Sequence, residues 1–189
     1  TDNGDAEDGG GIFNNNNGTM TITGSTFTNN RGIFGGALAN DGGTVTITGS
    51  TFTDNVSYGA GAGVINDGSD IMPASMTITN STFTGNHAMG SGGAIQNGGA
   101  DTMTISNTTI SGNRADSDAG GITNSGILTI TYSTLSGNVA PTGHAGGFQN
   151  FQGTTTITNS LIANSSGGDC LRLAGTIILT ERNLIEDGS

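Results

Sequence analysis

Gly92-Gly93-Ala94-Ile95-Gln96-Asn97 runs, after a short gap, into Met103-Thr104-Ile105-Ser106-Asn107-Thr108-Thr109-Ile110-Ser111-Gly112-Asn113, and the reading of this unit decides the fold. Its opening is two small residues, an apolar residue, any residue and Asn. That opening recurs at Gly10–Asn14, Gly36–Asn40, Ala62–Asn66, Gly120–Asn124 and Gly146–Asn150. The apolar anchors Ile12, Leu38, Val64, Ile95, Ile122 and Phe148 lie 26, 26, 31, 27 and 26 residues apart. A period of this length marks a solenoid, in which each unit buries its apolar face only against its neighbours.

Two more apolar segments complete each unit. One carries Ile22, Ile47, Ile78, Ile105, Ile130 and Ile157 within x-Thr-Ile-Thr stretches. Such β-branched alternation with period two is the pattern of a strand. It turns Thr21, Thr23, Thr46, Thr48, Thr77, Thr79, Thr104, Thr129, Thr131, Thr156 and Thr158 outward. The other segment carries Phe27, Phe52, Phe83, Ile110, Leu135 and Ile162, always five residues after the preceding Ile. A corner of constant length implies a tight turn stacked in register. The other two corners vary, from 8 to 14 and from 11 to 13 residues, so insertions such as 67–75 bulge outward as loops.

The expected fold is all-β, a right-handed, three-sided parallel β-helix of about seven coils. Coils start near residues 10, 36, 62, 93, 120, 146 and 170 of a single domain, 10–189, after a polar lead-in at 1–9. At about 4.8 Å per coil the rod is roughly 33 Å tall. Glycine before the first strand fits a positive-φ corner or a close backbone approach. Asn14, Asn40, Asn66, Asn97, Asn124 and Asn150, with Asn30, Asn55, Asn86, Asn113 and Asn138, suit left-handed corners and can hydrogen-bond along the stack. The last coil (Ile177-Ile178-Leu179-Thr180, Leu184-Ile185) is apolar on both faces, and no amphipathic helix is present to cap either end.

The net charge is −11, with four arginines and no lysine. Nothing here neutralises phosphates, so nucleic acid and anionic membranes are poor partners, and neither nucleic-acid binding nor membrane insertion is expected. No apolar run approaches the ~20 residues of a membrane helix, and no signal peptide is visible, which fits the mature part of a secreted protein. The single cysteine, Cys170, has no internal partner and is a candidate intermolecular thiol.

The pairing of Gly-Gly-Ala-Leu/Ile (Gly35–Leu38, Gly92–Ile95) with Phe-x-x-Asn (Phe27–Asn30, Phe52–Asn55, Phe83–Asn86) resembles the repeats of bacterial polymorphic outer-membrane proteins. The wider pattern is similar to right-handed parallel β-helix surface proteins of the CSLREA and choice-of-anchor kind. The tail, Asn159–Cys170 followed by Asn183–Ser189, resembles the way such regions end, where a second cysteine often follows the final Asp-Gly-Ser. The resemblance implies adhesion, passenger or scaffold roles without a small-molecule reaction.

Polysaccharide lyases and hydrolases share such folds but need clustered carboxylates on one sheet face. Here the acids fall in corners and loops, and no catalytic residue is assigned. His87 and His144 read as two separate exposed loop histidines. Asp41, Asp67, Asp70 and Asp101 follow first-strand asparagines, so they form a weak candidate edge for calcium; no other cofactor is expected. The Thr-x-Thr strands set out a grid of about 6.6 by 4.8 Å, similar to the ice-binding faces of some antifreeze proteins. Asn-x-Ser/Thr sequences at Asn17, Asn55, Asn80, Asn107 and Asn164 follow from composition and carry no assigned role. The expected function is a non-catalytic extracellular or cell-surface subunit. Its partners are copies of itself, stacked head to tail through open coil ends, or a surface receptor. The alternatives are a monomeric adhesin, an ice-binding protein and, last, a polysaccharide-active enzyme.

Overall fold

A computed structural model describes residues 6–186, and every regular element in it is a β-strand. Each coil contributes one strand to each of three seven-stranded parallel sheets. The first face begins with Ile12–Asn15 and ends with Cys170–Arg172; the second runs from Thr19–Thr23 to Thr176–Thr180; the third runs from Thr26–Thr28 to Leu184–Ile185. Equivalent residues pair directly, so Ile22, Ile47, Ile78, Ile105, Ile130, Ile157 and Leu179 form one column. The rings of Phe27, Phe52 and Phe83 stack 4.8 and 4.6 Å apart and nearly parallel.

One core fills the column. Its side chains are fully buried from Leu38 to Ile162, while Ile12, Met20, Cys170, Ile177 and Ile185 pack on it half-buried at the two rims. Alternation explains this arrangement. In Thr44–Thr48, Val45 and Ile47 face in with no exposure, and the threonines between them face out.

Three expectations change. A fourth sheet of five short strands lies between the third face and the first: Ala6–Asp8, Arg31–Phe34, Val56–Ser57, His87–Ala88 and Arg114–Ala115. It is possible because that connection repeats at nearly constant length, so its backbone also stacks. The lead-in is therefore not wholly outside the helix. Ala6–Asp8 is its first ribbon strand, paired with Arg31–Phe34, whereas residues 1–5 lie outside the described part. Finally, the two asparagine sets do not occupy left-handed corners. Those positions belong to neighbours, such as Asn29, Asp54 and Gly85 before Asn30, Asn55 and Asn86.

The asparagines instead point into the interior. From Asn14 through Asn40, Asn66, Asn97 and Asn124 to Asn150, each Nδ2 donates to the next Oδ1 at 2.7–2.9 Å. From Asn30 to Asn138, both Nδ2 and the backbone N–H donate to the next Oδ1. A third ladder lines the tight corner. Ser25, Ser50, Ser81, Thr108 and Ser133 each donate a backbone N–H to the hydroxyl of the next coil, and that hydroxyl donates to the carbonyl two residues before it. The bonds between successive coils run along the rod, so they fix rise and register together, while the hydroxyl-to-carbonyl bonds hold the corner within each coil.

Candidate functional site

A groove of about 310 Å³ opens on the outer side of the first face near its start. Its floor is Ala39 and Ile65, which occupy the outward position of successive strands next to Phe13. The ribbon and its loops fold back over this face, so Ala39 and Ile65 are buried although they point away from the core. Phe13 and Phe34 present half-exposed rings, and Asp8, Asn40, Asp41, Asp67, Gly68 and Ser69 complete the lining.

The four aspartates proposed for calcium separate into three roles. Asp41 and Asp67 line the groove, joined by Asp8. Asp101 is buried and turned inward, where it accepts the Gly68 and Ala74 N–H groups at 2.9 and 2.6 Å and so clamps the loop between them. Asp70 is exposed on that loop and does not line the groove. Among the described residues, no three His, Cys, Asp or Glu side chains converge as a metal site. Partial desolvation beside the groove pushes the Asp67 carboxyl up although the residue is exposed, and the charges of Asp101, Asp41 and Asp8 push it further. Burial also raises Asp101, although its two backbone donors oppose that.

The histidines are not idle loop residues. His87 opens a ribbon strand and places Nε2 3.1 Å from Asp116, whose other oxygen meets the Arg114 guanidinium at 2.7 Å. Slight burial works to raise the Asp116 carboxyl, but the hydrogen bonds and charges of Arg114 and His87 outweigh it and hold it low. His144 sets Nδ1 2.6 Å from Asp118, which also accepts from Gln149 and Ser91. These contacts tie variable corners of adjacent coils together, and no spacing rule in the sequence signalled them. His144 and Cys170 border one cavity of about 190 Å³. Cys170, however, sits in register with Phe148 and packs on the core, so its thiol belongs to the last rung.

The second face is the most regular surface. Seven strands with three outward positions each give 21 sites, and all but Ser75, Ser106, Ile127 and Ile178 are threonine. Thr21, Thr46, Thr77, Thr104, Thr129 and Thr156 form the central column. Thr23, Thr48, Thr79, Thr131 and Thr158 belong to the column beside the tight corner.

Stacked parallel faces around one continuous core define a parallel β-solenoid. The chain belongs to the right-handed β-helix family: the model described as "right handed beta helix region" matches residues 10–185. No curated protein and no solved structure matches it. The family includes enzymes of the pectate-lyase kind, so membership alone does not decide catalysis.

Proposed function

We propose that this protein is a non-catalytic structural β-solenoid of the cell exterior that adds copies of itself end to end. One observation carries the reading. Leu179 occupies the inward position of the second face, where its five nearest equivalents are buried without exposure, yet it is 53% exposed. Among the described residues, the strands Thr176–Thr180 and Leu184–Ile185 likewise have a partner on one side only. Apolar side chains beside unpaired backbone groups favour another coil on that rim. The opposite rim differs, since Ile22 and Phe27 are only 6% and 7% exposed and Ile12 and Met20 are half-buried. A contact between unlike rims is heterologous and propagates as a filament. Charge favours the same pairing. The first ribbon strand ends in Asp8, which head-to-head contact would set against a second Asp8, whereas the last coil offers Arg172 and Arg182 beside Glu181 and Glu186.

The groove favours a second reading, that of a monomeric adhesin. Half-exposed Phe13 and Phe34 beside Asp8, Asp41 and Asp67 suit a saccharide, stacking on its C–H face and accepting from its hydroxyls. The same carboxylates are where a glycan-cleaving reaction would sit, but no arginine, lysine or histidine lines the groove among the described residues. Sedimentation and negative-stain microscopy across concentration separate the readings. Rods that Leu179→Glu abolishes, with the monomer still folded, support stacking. A protein that stays monomeric at high concentration overturns it, and glycan retention lost in Phe34→Ala then establishes the adhesin.

A further inference from the structure

The second face has a property that the fold does not require. The first face obeys the same strand physics, yet its central outward positions are Phe13, Ala39, Ile65, Gln96, Thr123, Gln149 and Leu171, with a single threonine. Ala39, Ile65, Thr123 and Gln149 are buried there, so that face selects for packing. The threonines mark the exposed second and third faces, and only on the second do the strands offer three outward positions each. No charged or aromatic residue stands in any of its 21 outward positions.

The hydroxyls on that side are also not spent on one another. Among the described residues, side-chain hydrogen bonds within the array join only Thr79 with Ser106 and Thr158 with Thr180. The remaining threonines offer a donor and acceptor to water, each beside a methyl group. β-Branching restricts χ1, and the core stack fixes every Cα, so the grid is rigid before anything binds. Its repeats are about 4.8 Å along the rod and about 6.6 Å along each strand.

We propose that this face binds the surface of ice. The repeats are comparable in both directions to oxygen spacings in the ice lattice, and alternating hydroxyl and methyl groups can hold a layer of water in that order. A macromolecular partner fits worse, because a flat face without Tyr, Trp or Arg offers it no anchor. The third face extends the threonines around the tight corner. It gives only two outward positions in most strands, however, and ends in Leu161, Ala163 and Leu184. This inference is independent of stacking at the rims, although each added copy would lengthen the grid.

The test is thermal hysteresis and ice-crystal shape for the wild-type chain, the double variant Thr104→Lys/Thr129→Lys, and an exposed-loop control, Thr142→Lys. The isosteric pair Thr104→Val/Thr129→Val guards against misfolding, and circular dichroism monitors all four. Hysteresis should appear in the wild type and the control and fall several-fold in the lysine pair. A wild-type protein without hysteresis, crystal shaping or incorporation into slowly growing ice overturns the proposal. So does activity that survives in both double variants, or that is lost equally in the control.

Discussion

A buried asparagine costs stability unless all its polar atoms are matched, and this chain matches them by repetition. Asn40 donates one amide hydrogen to Asn66 and the other to the Gly43 carbonyl, and its oxygen accepts from Asn14. Each such bond is worth about 1 kcal/mol net, and a partner left unmet costs about 1–3. Ionised aspartate obeys a harsher rule. The folded Asp67 holds its proton more tightly than the unfolded chain does, because partial desolvation and three neighbouring carboxylates raise it above 3.8. Its contribution is therefore fully present below that value and is lost as pH rises through the folded one. Asp67→Asn should raise the melting temperature slightly at neutral pH, leave it unchanged in strong acid, and flatten the slope between. Melting curves across pH check this; a fall at neutral pH would mean that the Asp67 charge is favourable. Asp101→Asn should instead lower the melting temperature, since both carboxylate oxygens accept, from Gly68 and Ala74, and an amide offers only one acceptor.

At the scale of the element, corners decide more than strands. The tight corner places Gly24, Gly49, Asn80, Asn107, Tyr132 and Asn159 in one stacked left-handed position, with φ between 48° and 58°. Glycine and asparagine suit it, whereas a bulky aromatic does not. Tyr132 is 63% exposed, so little packing offsets its strain. Tyr132→Asn should therefore stabilise the protein by about 0.5–1 kcal/mol, part of the usual left-handed penalty, which chemical denaturation can read. The constant five-residue interval made this corner legible in the sequence. The ribbon was not legible, because strands such as Val56–Ser57 and His87–Ala88 are two residues long and show no alternation. The groove was hidden for another reason. Its members sit at positions as far apart as Asp8, Phe34 and Asp67, and only the folding-back of the ribbon over the first face brings them together. The carboxylate edge failed as a single unit because backbone N–H groups captured Asp101.

For the whole molecule, the controlling idea is that one coil is interchangeable with the next provided that register survives. Deleting Ser106–Ile130, 25 residues, joins Ile105 to Thr131, and Ile105 already pairs with Ile130. Every ladder then closes across the splice: Asn97 reaches Asn150, Asn86 reaches Asn138 and Ser81 reaches Ser133, each replacing a removed equivalent. His87 and His144 lose Asp116 and Asp118, but both histidines stand at the outer corners. The shortened chain should fold cooperatively with an unchanged β spectrum. At roughly 0.05–0.15 kcal/mol per residue, 25 residues represent a loss of about 1–4 kcal/mol. Deleting one residue fewer, Ser106–Thr129, instead sets Ile105 beside Ile130, so the rest of that strand and the tight corner after it turn to the wrong face or bulge before the next variable corner. That chain should be markedly less stable than the first. If the two deletions prove equally stable by circular dichroism and thermal melting, side-chain register along the column is not what holds this protein together.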